Sequence, residues 1–368
     1  MYIKEFNRNH VLLLAVITQI YFGVLVPFVC LLGLEVSSSY YSFSSFSNSS
    51  LYTILGCNLI SLIILVALLS RLPPKIHMKA LNIKLFNWLC IIYFLYNINN
   101  SLELSRVDIK TNANFFSSAL STIVVAYCGA ILVACENIKK HTLLFTLMFV
   151  FLVSKGEREY LALILIALVC RYSISLATIR SCVILCGSLV LALLFKGLTL
   201  MIKDPAAIAS IDGEYLGALF RILLNDSLNV TGLFSSYLDG HAPDYRVASV
   251  FWPVQLEELF DPSAKSNSYI ASSFYANLKT GVGFSGMLDF WLNFNILAPI
   301  FFAVFVYMLI SLSYKTRSLF LILCTLTFLI KLMRAELYAA FITLLLGPLM
   351  FYFAHKIITI FLTPPRLY

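Results

Sequence analysis

Residues 143–169 read LLFTLMFVFLVSKGEREYLALILIALV, and residues 319–346 read LFLILCTLTFLIKLMRAELYAAFITLLL. Each is an apolar run, a charged turn and a second apolar run. Lys155 precedes Arg158 by three residues, and Lys331 precedes Arg334 by three. Acids follow both: Glu159 after Arg158, and Glu336 two positions after Arg334, with Glu157 extra in the first turn. A helix needs about 20 apolar residues to cross the hydrocarbon of a bilayer. The runs before these turns have about 12–14, so they span only if the turn dips below the headgroups. Ionisable groups at that depth are costly unless they line a wet cavity or pair internally, and irregular backbone is tolerated there on the same condition. The plain alternative is Lys and Arg snorkelling from helix ends, with Arg–Glu pairs neutralising charge.

The rest of the chain has the same character. Of 368 residues, 60% are hydrophobic and 12% charged, with mean hydropathy +0.90. A soluble domain runs about 45–50% apolar and about 25% charged. That excludes a soluble enzyme, a disordered tail and a nucleic-acid-binding domain. Clear spans are Val11–Leu34, Leu51–Ser70, Phe115–Cys135, Ser181–Ile202, Phe284–Leu312 and Leu337–Ala354. Shorter or interrupted ones are Leu85–Asn97, Thr142–Ser154, Tyr160–Thr178 and Leu319–Ile330. The predicted fold is all-α: a polytopic bundle of about ten helices, with 1–202 forming spans 1–7, 203–283 a large outer loop, and 284–368 spans 8–10. The first run is too long for a signal peptide and lacks its cleavage pattern, so it is expected to stay as a helix.

Charge orients this map. With the N-terminus in the cytoplasm, the inside segments carry 14 basic residues against two acids, Glu5 and Glu136, and the short outside segments carry six basic residues. The positive-inside rule then puts both termini in the cytoplasm. The +8 net charge is thereby read as orientation, not as a polyanion site. The 203–283 loop has five basic and nine acidic residues, a net of −4, so it is not a tether for phospholipid headgroups. Its stretches EYLGALFRILL and VASVFWPVQLEELF have helical apolar spacing and are expected as short amphipathic helices over the outer face. The Ser- and aromatic-rich EVSSSYYSFSSFSNSS is a solvated loop or a sugar-stacking platform. All nine cysteines lie in apolar runs, where Cys is a small apolar filler. No disulfide framework, metal site or cofactor motif is read.

The paired turns suit an anion. Arg binds phosphate bidentately through a planar fork, and Lys adds a point charge. Arg158, Arg334, Lys155 and Lys331 around one cavity would hold a lipid-linked diphosphate and stabilise its charge as it departs.

With about ten helices, one large loop in the second half, Arg-bearing outer turns and the small-residue GVGFSGML leading into the next helix, the chain resembles the bacterial O-antigen polymerases, the Wzy family of integral membrane glycosyltransferases. The likeness extends over nearly the whole chain and rests on architecture. An Arg-x10-Gly spacing, met here as Arg221 and Gly232, adds little, because chance supplies it readily. The resemblance implies joining of undecaprenyl-diphosphate-linked oligosaccharide repeat units into surface polysaccharide, at the periplasmic face of the inner membrane, as in lipopolysaccharide biosynthesis. It implies no nucleotide sugar, metal or other cofactor, and as partners the pathway's chain-length regulator and flippase.

Such a transfer needs a base for the acceptor hydroxyl. His241, the one histidine on the outer side of this map, is a candidate, and Glu157, Glu159 and Glu336 compete with it. Arg246, Asp244, Trp252 and Asp289 are candidates for the sugar or acceptor. Asp289, early in the helix after the loop, is expected to face the cavity, since an acid facing lipid is costly. Each of these residues also has a structural reading, as loop surface, loop packing or charge pairing. Rival functions are a lipid-linked oligosaccharide flippase, an O-antigen ligase-type transferase and an outer-face acyltransferase. Against a transporter stand the long outer loop and charge gathered at one face instead of the midplane. Against an acyltransferase stands the lack of a His within a polar helix.

Overall fold

The computed structural model describes residues 2–33, 46–81, 83–103, 115–155, 158–172, 215–247, 250–251, 261, 265–275 and 284–362. Strand β1 (Tyr2–Asn7) leads into helix α1 (Arg8–Leu31), followed by α2 (Asn48–Leu69), strand β2 (Lys75–Ala80) and α3 (Lys84–Glu103). Then come α4 (Phe115–Ala134), α5 (Thr142–Lys155), α6 (Arg158–Arg171), α7 (Tyr215–Leu238) and α8 (Asn267–Tyr275). The chain finishes with α9 (Gly286–Lys315), α10 (Leu319–Leu332) and α11 (337–362).

Four described helices are long and apolar enough to cross a membrane: α1, α2, Ser117–Ala134 within α4, and α9. Tyr160–Arg171, Leu319–Leu332 and Ile342–Ile358 are shorter apolar helices. This is a mostly helical chain of membrane-protein character. The expected span Ser181–Ile202 lies outside the described residues. The expected Leu85–Asn97 is longer than read, a helix of 20 residues. Helix α9 is broken at Asn295, where φ is +49°, before a 3-10 turn and a second helical stretch that carries Pro299 in its first turn. Asn tolerates that left-handed φ better than most residues.

Several helix starts are written in the sequence as Asn or Ser caps. Asn7 accepts from Asn9 N at 2.8 Å, Ser47 from Ser50 N at 3.2 Å, Ser285 from Leu288 N at 3.2 Å and Ser318 from Leu321 N at 3.4 Å. Each satisfies an amide that the first helical turn leaves open. Helix α10 is the axis of the fold. Every residue from Leu319 to Leu329 is buried, as expected of a helix apolar on all sides, and α10 packs against α4, α6 and α9.

Two of the described helices contain π turns, Ile20–Val24 in α1 and Ile342–Leu346 in α11. A π turn disturbs the regular i to i−4 ladder and loosens backbone carbonyls. In each case a hydroxyl from a neighbouring helix reaches one of them. Ser227 Oγ donates to Tyr21 O at 2.6 Å, and Thr122 Oγ1 donates to Thr343 O at 3.1 Å.

Among the described residues, the helix ends sort to two ends of the bundle. At one, β1 and β2 pair antiparallel, Tyr2 opposite Ala80 and Asn7 opposite Lys75. Lys79 N donates to Arg317 O at 2.8 Å, Tyr2 Oη meets His141 Nε2 at 3.2 Å, and Arg171 donates to the Cys135 carbonyl at 2.8 Å. The strand pair and the residues around Cys135, His141, Arg171 and Arg317 therefore share one end. The strand pair departs from a purely helical reading, since β1 and β2 alternate inward and outward over six residues each. At the opposite end, Ser47 and Ser50 hydroxyls donate to Asp239 at 2.5 and 2.6 Å, and Phe284 N donates to Arg334 O at 3.0 Å.

Helix α7 also departs from expectation. The stretch EYLGALFRILL, read as a short amphipathic helix, belongs to a longer helix of 24 residues, in which all ten from Ser227 to Ser236 are buried. The helix packs on α1 and α2. Five of those ten are polar, which explains why hydropathy did not mark them as interior.

Candidate functional site: a buried carboxylate pair at the Arg334 turn

Gly286 opens the site. A Cβ built on it would lie 2.2 Å from the Leu332 carbonyl oxygen, so only glycine lets α9 start against the end of α10. The small-residue approach to α9 therefore has a steric cause. Ser285 caps the helix, and one turn in comes Asp289, fully buried. Its Oδ2 accepts from Leu337 N at 3.0 Å. The carboxylate thus caps α11 from another helix, where the helix dipole favours a negative charge.

Glu336, the residue before α11, is 7% exposed. Its Oε1 accepts from Ser268 N at 2.5 Å, at the start of α8. Burial, and then the negative charge of Asp289, push its pKa from 4.5 up to about 7. Hydrogen bonds from Ser268 and Asn267 and the charge of Arg246 pull the other way. Arg246 is held through its backbone: Arg246 N donates to Asn267 Oδ1 at 2.7 Å, and Asn267 Nδ2 donates to Arg246 O at 3.2 Å. Arg334 and Lys331 are half-buried in the same turn, with Arg334 N donating to Lys331 O at 3.0 Å.

Four sequence-predicted residues are therefore drawn together: Glu336, Asp289, Arg246 and Arg334, with Lys331 one turn away. The chemistry available is that of a carboxyl group able to take or give a proton near neutrality, within the field of Asp289 and Arg246. The two carboxylates also serve as caps for α8 and α11. Asn267 and Ser268 were missed by sequence reading. Their signal was KSNSY, a cap sequence whose Ser266 Oγ accepts from Tyr269 N at 3.1 Å.

His241 lies apart from these contacts. Its side chain is exposed, its backbone N donates to Ser236 O at 2.8 Å, and its carbonyl accepts from Tyr275 Oη at 3.2 Å. Asp244 is also exposed. Trp252 and Glu157 lie outside the described residues, as do the side chains of Lys155, Arg158 and Glu159. The backbone nonetheless relates the two charged turns. Helix α5 ends at Lys155 and α10 at Leu332, and each has 14 residues. Helix α6 packs on α10. Arg171, at the far end of α6, and Arg317, just before α10, both belong to the end that carries the strand pair. The two helices therefore run antiparallel, and the Arg158 and Arg334 turns share the opposite end. No group of three or more His, Cys, Asp or Glu suited to a metal ion occurs among the described residues.

Comparison with family models, curated proteins and solved structures gives no match to this chain.

Proposed function

We propose that the chain is a multi-pass glycosyltransferase of the bacterial inner membrane that polymerises undecaprenyl-diphosphate-linked oligosaccharide repeat units. Both termini and the strand pair lie in the cytoplasm, and the Arg334 turn opens to the periplasm. The observation that carries the reading is the Glu336–Asp289 pair beside Arg246 and the Arg334 turn, at one end of an apolar bundle. Glu336 is the base. At neutral pH an appreciable fraction is ionised and accepts the proton of the acceptor sugar hydroxyl. That oxygen attacks the anomeric carbon of the growing chain, the bond to the lipid diphosphate breaks, and the lipid diphosphate leaves with the electron pair. Arg334 and Lys331, joined by Arg158 and Lys155 across the bundle end, neutralise that leaving group. General-base catalysis typically contributes about 10²–10⁴-fold.

The arginines supply the test. Lys cannot reproduce a bidentate fork, and hydrogen bonds to charged groups contribute roughly 1.5–3 kcal/mol each. Arg158→Lys and Arg334→Lys should each shorten or abolish the glycan ladder at matched membrane abundance. The double variant should lose less than the product of the single losses, because neither Arg completes the site alone. Full-length ladders from both single variants would remove the diphosphate site and leave snorkelling as the explanation of these turns.

A further inference from the structure

The junction of α1, α2 and α7 contains buried polar atoms that the proposed chemistry does not use; Asn58 Nδ2 donates to Ile54 O at 2.9 Å, but other atoms there lack a partner among the described residues. Gln19, Asn58, Ser61 and Thr231 are at most 2% exposed. Both amide atoms of Gln19, Oδ1 of Asn58 and the hydroxyl oxygens of Ser61 and Thr231 have no hydrogen-bond partner among the described residues. All four sit within one helical turn of a contact between these helices. Gly23 of α1 touches the Asn58 side chain so closely that a Cβ there would lie 2.2 Å from Oδ1. Gln19 is one turn from Gly23, and Ser61 is one turn from Asn58. Thr231 is one turn from Ser227, which donates to Tyr21 O in the π turn.

Buried polar groups are ordinarily satisfied, by protein or by ordered water. The chemistry here selects the guest. The unmet groups include a donor, Gln19 Nε2, and several acceptors, so the guest must accept and donate at once. A metal cation cannot accept, and all four side chains are neutral. Asp239 lies two turns beyond Thr231, about 12 Å along the helix, and its carboxylate is engaged by Ser47, Ser50 and Ser235. Nothing apolar would relieve these atoms. We propose that the α1–α2–α7 junction is an internal hydration site, an ordered water cluster that bridges Gln19, Asn58, Ser61 and Thr231 beside the π turn of α1. Buried water typically makes about three hydrogen bonds, and this group can supply them. The cluster accounts for the enclosure of Thr231, where Ser227 and Ser235 of the same helix have protein partners: α7 is joined to its neighbours in part through water.

The test uses the full-length protein in detergent, irradiated with synchrotron X-rays in water enriched in oxygen-18. Radicals form from bound water in place, so side chains next to it acquire the label even when bulk solvent is excluded. Phe22, 5% exposed and beside the junction, should be labelled several-fold faster than Phe302, which is 0% exposed within apolar surroundings. The isosteric Thr231→Val should reduce that labelling and lower the thermal midpoint, since it removes a water ligand without opening a gap. Labelling of Phe22 no faster than that of Phe302 would overturn the proposal. So would a higher midpoint for Thr231→Val, the signature of a dry, unsatisfied hydroxyl being relieved.

Discussion

Replacing Glu336 by Gln separates the proton chemistry of the site from its architecture. Glutamine is nearly isosteric and its amide oxygen can still accept from Ser268 N, so the cap on α8 survives. What disappears is ionisation. The rise of the Glu336 pKa from 4.5 to about 7 corresponds to about 3 kcal/mol of penalty on the charged form. The sign follows from linkage. Between pH 4.5 and about 7 the folded protein holds this proton more tightly than the unfolded chain does. Wild-type stability should therefore fall as pH rises through that window and level off above it. Glu336→Gln should show no such loss, and above pH 7 it should exceed wild type by up to about 3 kcal/mol. Activity should move the other way. Loss of the base should cost about 10²–10⁴-fold in turnover. The acidic limb of the wild-type rate, half-maximal near pH 7, should vanish from the residual activity. Denaturation midpoints of purified protein from pH 4 to 9, set beside polymer formation over the same range, measure both. A variant as active as wild type at every pH would refute the role of base and leave Glu336 as a cap. A wild type whose stability ignores pH across this window would refute the account of its burial.

Two further outcomes follow from the same geometry. Gly286→Ala should destabilise by about 1–3 kcal/mol, the usual cost of overpacking, because the added methyl meets the Leu332 carbonyl at 2.2 Å. Lower thermal midpoint and lower membrane abundance would show it, and an unchanged midpoint would mean that α9 does not start against α10. In a Cys-free background, Lys79→Cys and Asp244→Cys, both at exposed positions, should react with membrane-impermeant thiol reagents from opposite sides. Strong labelling of Lys79→Cys in intact cells would invert the proposed topology.

Much of the fold was legible because charge and hydropathy act locally. The two charged turns ended short helices in the sequence, and those helices are 14 residues long in the structure. Asp289 was expected to face a cavity, because an acid facing lipid is costly; it is instead fully buried, with Oδ2 accepting from Leu337 N. The strands were missed although KIHMKA alternates, because their pairing depends on partners 68 to 78 positions away. The C-terminal half of α7 was not read as a helix, for a deeper reason. NDSLNVTGLFSS carries no interior signal when taken alone, and its burial depends on Ser227 meeting a π-turn carbonyl and on Asp239 meeting two serines. For the site, the sequence supplied the residue types. That Glu336, Asp289 and Arg246 converge depends on long-range contacts, including the one that Gly286 permits. The pKa of Glu336 follows from that convergence and could not be read from the turn RAEL.

The central claim is that this protein itself joins lipid-diphosphate-linked glycans. Its most direct test is purified protein in proteoliposomes given undecaprenyl-diphosphate-linked repeat units, without nucleotide sugar. The account predicts a ladder of longer lipid-linked glycans, with one lipid diphosphate released per unit added, and its loss in Glu336→Gln and in the Arg158→Lys, Arg334→Lys double variant. Substrate left at single-unit length by well-folded wild-type protein, or a ladder undiminished in those variants, would contradict it.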